Sequence, residues 1–332
     1  MKKFSRTYIK WIRYAFQWGI FALTAYGGYR FFLFVEHFKG RGEFVERPEL
    51  VEGFLPIGAL MSLKVWATGG GINTTHPAAL MIFVAALLVS FLLMKSFCGW
   101  ICPVGALSEL LHKIGRLVFR RNFRIHRYLD YPLRLLKYAL LGFFVYIIVY
   151  RMDTWALGQF MSSSYWMVAD VKMLHFFTDM SRTSAIVLGV LGALSLLFKN
   201  FWCRYLCPYG ALTGLLGIFS PLKVTRNEER CINCHRCTRD CPNLIDVEEA
   251  RRVISPECSG CMACVAACPA RGALDVATPG RLKVRPLIYV VLVMVVFFGV
   301  IFAAKRTGHW HSNVTYGEYM KLVPEADRFE HP

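Results

Sequence analysis

The chain has 332 residues, 55% of them hydrophobic, with 39 Lys and Arg against 22 Asp and Glu. So apolar a composition excludes an ordinary soluble domain of this length and puts membrane architecture first. The net charge of +17 is spread in blocks along the chain, whereas a nucleic-acid footprint gathers on one face, so no nucleic-acid partner is expected.

In chain order, residues 1–13 hold five Lys or Arg and no acid. An apolar run over residues 14–35 follows. It is too long for a signal peptide and lacks a small-residue cleavage site, so it is expected to stay as an anchor. Four more apolar runs cover residues 78–97, 132–150, 183–202 and 286–304, each near the ~17–25 residues that a bilayer requires. The charge between the runs alternates. Residues 36–77 carry four basic and five acidic groups, 98–131 six and two, 151–182 three and three, 203–285 twelve and eight, and 305–332 four and four. The positive-inside rule then puts the N-terminus and the basic loops in the cytoplasm and the C-terminus outside.

Twelve cysteines punctuate this pattern. Residues 98–111 read CGWICPVGALSELL and residues 203–216 read CRYLCPYGALTGLL, eight of the fourteen positions being identical at a separation of 105. Each copy follows an apolar run of the same orientation, which makes a parallel internal repeat. On a helix, Cys98 with Cys102 and Cys203 with Cys207 would each share a face. The proline after each pair ends or kinks the helix. Three readings stay open for these four thiols: small packing residues, ligands of a metal or a further iron–sulfur cluster, or a redox dithiol or copper site.

The other eight cysteines form the runs CINCHRCTRDCP (231–242) and CSGCMACVAACP (258–269). Each is the C-x2-C-x2-C-x3-C-P pattern of bacterial two-cluster ferredoxins, in which the fourth cysteine serves the other cluster. The expected ligand sets are Cys231, Cys234, Cys237 and Cys268 for one 4Fe–4S cluster, and Cys258, Cys261, Cys264 and Cys241 for the second. Zinc needs only four ligands and does not explain two matched runs closed by proline, and a reducing compartment disfavours disulfides. Ile232, Ile245, Val253, Ala263, Val265, Leu274 and Val276 are expected to wrap the clusters apolarly. Residues 247–254 read as about two helical turns.

Taken in order, CGWICP, CRYLCP and the two ferredoxin runs resemble the membrane polyferredoxins of the NapH, MauN and NosR kind, which include the copper-handling RdxA and CcoG proteins. The resemblance covers roughly residues 78–304. It implies an electron carrier linking the quinone pool or a cytoplasmic donor to a partner reductase or cytochrome, or an assembly factor. The large N-terminal flavin-binding region of the NosR branch and the long C-terminal domain of the copper-handling branch have no counterpart in this sequence.

Weaker features complete the reading. His309, His311 and His331 stand in the tail, where a docking role is expected over metal binding. His76, Asp170 and His175 sit among interfacial aromatics and are available to a quinol, although an ordinary interfacial loop explains them as well. Of the cations near the runs, Arg30, Lys95 and Lys137, Lys95 lies one turn before Cys98 and is expected to snorkel, with support of a thiolate as the alternative.

The expected fold is thus mainly α. A membrane domain of four spans (residues 1–221) precedes a small α+β two-cluster ferredoxin module (222–284), followed by a fifth span with a short outer tail (285–332). The expected function is inner-membrane iron–sulfur electron transfer as part of an oxidoreductase system. A metal (copper) reductase or maturation factor, or a redox-sensing regulator, is the alternative use of the same clusters.

Overall fold

A computed structural model describes residue 6 and residues 8–120, 123, 125–280 and 282–330. The start of the basic N-terminus, three positions of the basic stretch 116–127 (121, 122 and 124) and His331 lie outside them. The protein is mainly helical, with one small antiparallel sheet. Two described helices are long and apolar enough to cross a membrane, Tyr128–Arg151 and Pro286–Arg306. A third span results if Ala169–Thr178 and Arg182–Leu197, bent by 78° at their junction, count as one. The run at 78–97 forms the shorter apolar helix Pro77–Leu92, and the first run lies within the 31-residue helix Tyr8–Phe38.

The second and fourth runs stop short as helices for a local reason. Met94 (φ 58°) and Asn200 (φ 50°) adopt the left-handed conformation just before each cysteine pair. Such a residue ends a right-handed helix, because its Cβ crowds the following carbonyl.

Packing divides the chain into two units. One comprises Met1–Phe21, Ala86–Leu141 and Gly189–Phe297, the other Ala22–Ala85, Gly142–Leu188 and Phe298–Pro332. The latter is built on an aromatic core in which Phe31, Phe34 and Phe38 pack with Val168, Val171, Tyr319 and Val323. These side chains are almost wholly buried, and each contributes roughly 1.5–3 kcal/mol through loss of water contact. Beside them lies a fully buried ion network. Arg47 donates to Asp170 at 2.6 and 2.9 Å and to Glu52 at 2.8 Å, and Glu52 accepts from the backbone of Ala79 at 2.9 Å.

The other unit carries all twelve cysteines. Its sheet consists of β1 (Lys223–Arg226), β2 (Leu274–Ala277) and β3 (Lys283–Val284), in that order. Val224 faces Val276, and Val276 in turn pairs with Val284. The alternation buries Val224, Leu274 and Val276. Residues 247–254 are not helical. β1 pairs with that segment through backbone hydrogen bonds, Arg226 N to Arg251 O at 2.8 Å and Val253 N to Val224 O at 2.9 Å. Sheet-edge pairing competes with the helix here and wins, because it buries both Val247 and Val253.

Candidate functional site

The two ferredoxin runs fold alike. In each, the residues flanking the second cysteine are left-handed: Asn233 and His235 in one, Gly260 and Met262 in the other, all with φ between 49° and 57°. This curls the chain so that three thiols point inward, and a short helix then leads to the fourth cysteine (Arg236–Arg239 and Ala263–Ala267). Gly260 has a steric reason as well. A Cβ there would lie 2.3 Å from Ser96 Oγ and 2.4 Å from Tyr289 Oη.

Two cavities result. One, of about 400 Å³, is lined by Cys231, Cys234, Cys237 and Cys268; the other, of about 340 Å³, by Cys241, Cys258, Cys261 and Cys264. Each ring takes three thiols from one run and one from the other. Their surroundings differ. Cys234 is exposed, whereas Cys241, Cys261 and Cys264 are buried. Ile232, expected to shield the first ring, lines that cavity yet is 63% exposed. Burial pushes the Cys241 thiol up to about 11 and Cys258 up to about 12. Thiols packed so closely are poor anions on their own, and a multivalent metal centre is what makes such a ring favourable. Among the described residues, no three His, Cys, Asp or Glu are gathered tightly enough for a single metal ion.

The cysteine repeat departs from the expected α-helical geometry. Phe97–Ile101 and Trp202–Leu206 are π-turns, closed by Cys102 N to Phe97 O at 2.9 Å and Cys207 N to Trp202 O at 3.0 Å. Single π-turns of this kind are concentrated at functional sites. Cys102 and Cys207 then serve as N-caps of the helices Pro103–Phe119 and Pro208–Ile218, and Gly210 N donates to Cys207 Sγ at 3.2 Å. A helix N-terminus favours a thiolate. Burial, together with the neighbouring Cys98, pushes the Cys102 thiol up to about 12, and burial with Cys207, Cys102 and Cys98 raises Cys203 well above its ordinary value. The structure thus brings all four repeat thiols into one mutually repelling group.

Both copies of the repeat grip the buried ring. A Cβ on Gly99 would stand 2.4 Å from Ser259 O and 3.4 Å from Cys261 Cβ, so the first π-turn lies directly on the 258–261 loop. Trp100 Nε1 donates to Gly260 O at 3.0 Å. The second copy holds the other side. Asn200 donates to Pro242 O at 3.3 Å, Lys199 to Cys241 O at 3.4 Å, and Arg204 to Asn243 O. Arg204 is braced by Asp130 at 3.0 and 3.1 Å.

Between these groups lies a polar cavity of about 440 Å³, lined among others by Lys95, Cys98, Gly99, Asn200, Cys203, Arg204 and Glu257. Lys95 does not snorkel. It is 4% exposed and interacts electrostatically with Cys98, Cys203, Cys207 and Glu257. Lys137, fully buried, is paired with Glu257. Burial alone would raise the Glu257 carboxyl, but Lys95 and Lys137 hold it below its ordinary value.

The weaker sequence candidates are spent elsewhere. His76 and Asp170 belong to the buried Arg47 network, with His76 Nε2 bonded to Trp166 O at 2.8 Å. His175 pairs with Asp327 at 2.8 Å. His309 contacts Thr307, and His311 contacts Glu49, so the two tail histidines have separate partners. Sequence reasoning missed Arg13, Arg204, Asp130 and Glu257. A signal existed only for Glu257, an acid directly before a cysteine run.

Comparison with known proteins agrees with this layout. A family model described as a 4Fe-4S binding domain matches residues 75–126 and 183–227, one stretch for each repeat copy, and a 4Fe-4S dicluster domain matches residues 223–269. YccM of Escherichia coli is 40% identical over 327 residues, covering 96% of this chain and 91% of its own. The ferredoxin-type protein NapH of Haemophilus influenzae is 27% identical over 212 residues (58% and 67%). The methylamine utilization ferredoxin-type protein MauN of Paracoccus denitrificans is 28% identical over 176 residues (50% and 56%). No solved structure matches. With its apolar helices, paired cysteine rings and this spread of relatives, the chain belongs to the membrane-bound 4Fe–4S polyferredoxin family of the NapH, MauN and NosR kind.

Proposed function

We propose that this protein is an electron-transfer subunit of the bacterial cytoplasmic membrane. It links the quinone pool or a cytoplasmic donor to a partner redox enzyme. The observation that carries the reading is the pair of cavities, each ringed by four cysteines drawn three and one from the two runs. Cys231, Cys234, Cys237 and Cys268 are assigned to one 4Fe–4S cluster, and Cys241, Cys258, Cys261 and Cys264 to a second. Cys98, Cys102, Cys203 and Cys207 are assigned to a third. The two stretches matched by the 4Fe-4S binding domain, each containing one repeat pair, support this last assignment.

The proposed topology has five crossings, with the N-terminus and ferredoxin module cytoplasmic and the C-terminus outside. In its support, the stretches of the two packing units meet after residues 21, 85, 141, 188 and 297. Each of these points lies inside one of the five apolar runs.

When bound, a 4Fe–4S cluster supplies a one-electron couple. The chain's own residues set the rest. Cys234 and Ile232 leave one ring open to a partner. Trp100, Tyr289 and Met94 close the other ring to water, with Met94 Sδ 3.9 Å from Cys258 Sγ. Gly99 permits backbone contact between that ring and the repeat.

Iron and acid-labile sulfide per chain, measured on protein purified anaerobically in detergent, test the assignment. About twelve of each is expected. About eight overturns the third cluster, and fewer than four overturns the electron-transfer reading altogether. A quinol that fails to bleach the visible absorbance removes the quinone arm.

A further inference from the structure

The polar cavity is lined by equivalent positions of the two repeat copies. Lys95 and Asn200, Cys98 and Cys203, and Gly99 and Arg204 are each 105 residues apart, and all six face it. The copies meet there without matching in backbone, the left-handed residue being Met94 in copy one and Asn200 in copy two, one register position apart, and their charge is distributed unequally. Copy one carries its cation three residues before the first cysteine (Lys95), where copy two has Asn200. Copy two carries its cation one residue after that cysteine (Arg204), where copy one has Gly99.

These two cations have different duties. Arg204 is committed to Asp130 and to the carbonyl of Asn243. Lys95 is turned toward the thiols. Its Nζ lies 3.4 Å from where a Cβ on Gly210 would stand, a point 3.6 Å from Cys207 Cβ. Burying an anionic centre without a counter-charge is costly, and one well-placed cation offsets much of that cost. Of the other ions lining the cavity or next to it, Arg13 is paired with Glu109 and Lys137 with Glu257, whose carboxylate Lys95 also faces.

We infer that Lys95 is a positioning residue: a cation that helps compensate the anionic centre held by Cys98, Cys102, Cys203 and Cys207 and raises its reduction potential. This rests on the proposed reading that the four thiols hold a redox centre. A cation favours the more negative, reduced state, so its removal lowers the potential.

The test is a redox titration, followed by electron paramagnetic resonance, of the full chain in detergent. The wild type is compared with Lys95→Met and Lys95→Arg. Lys95→Met is expected to shift the repeat-centre equilibrium at least tenfold toward oxidation. For a one-electron couple that is about 59 mV lower. The signals of the other two centres should stay in place. Lys95→Arg is expected to keep the wild-type potential. A Lys95→Arg variant that shifts like Lys95→Met overturns the inference and makes Lys95 a packing residue. So does an unshifted Lys95→Met. If Lys95→Met does not assemble, Lys95→Gln takes its place, and an unshifted Lys95→Gln overturns the inference. Only eight irons per chain in the wild type sinks the underlying assignment, whereas about twelve irons with no shift sinks only the role of Lys95.

Discussion

Gly99→Ala probes the contact on which the relation between repeat and ferredoxin module depends. The added methyl would stand 2.4 Å from Ser259 O and 3.3 Å from Ser259 Cβ. That carbonyl has little room to retreat. Its loop carries Cys258 and Cys261 and is pinned by Trp100 through Gly260 O at 3.0 Å. Overpacking of this kind costs about 1–3 kcal/mol. Replacing glycine also gains up to ~1 kcal/mol of backbone preference, so a matched control is needed. Gly189→Ala provides it, since that glycine lies in the helix Arg182–Leu197 with nothing within 4 Å of its added Cβ. The difference between the two variants then isolates the clash. It amounts to roughly a five- to 150-fold change in a local opening equilibrium.

The assay is anaerobic loss of iron to a chelator in detergent. In Gly99→Ala, about four irons, those assigned to Cys241, Cys258, Cys261 and Cys264, should leave five- to 150-fold faster than in Gly189→Ala. Iron assigned to the Cys231 ring should leave at the wild-type rate. Equal rates in the two variants, or uniform loss of all iron, would refute the close-packing argument.

Three further outcomes follow from buried charges. Arg204→Leu strips Asp130 of its bidentate partner but leaves Arg134 and Tyr205 bonded to the carboxylate, so it should cost about 1.5–3 kcal/mol; thermal unfolding in detergent measures it. Arg47→Met should cost about 3–5 kcal/mol through the unpaired Glu52 and Asp170. Because Arg47 touches none of the cysteines, iron content at low temperature should be unchanged. Glu109 is desolvated, yet Arg13 and Lys113 hold its carboxyl below the ordinary value of 4.5. A depressed acid stabilises fully above its unfolded value and loses that contribution as pH falls through the folded one. The stability gap between wild type and Glu109→Gln should therefore be complete above about pH 4.5 and close below it. A gap that widens on acidification contradicts the Arg13–Glu109 pairing.

Much of this architecture is written locally. The apolar runs, the alternating charge, the ferredoxin spacing and the repeated CGWICP and CRYLCP strings all rest on short-range chemistry, and each could be read within a window of a few residues. The helical reading of 247–254 failed because its competitor was distant. Pairing with β1, some twenty residues earlier, outweighed local propensity. The π-turns at the cysteine pairs were illegible for a related reason. An i to i+5 turn differs from an α-turn by one extra residue, and no side-chain pattern announces it.

Sequence alone therefore determined which thiols exist, how they are spaced and which segments are apolar, since spacing and hydropathy are properties of the chain itself. Tertiary structure alone decided that Gly99 lies against Ser259, that Arg204 reaches Asn243, and that Lys95 stays buried beside Cys98 and Cys203 when it had seemed free to reach the interface. Apart from Lys95 with Cys98, those contacts join residues 39 to 160 positions apart. Their energy comes from desolvation and close approach, which arise only once distant segments share one interior.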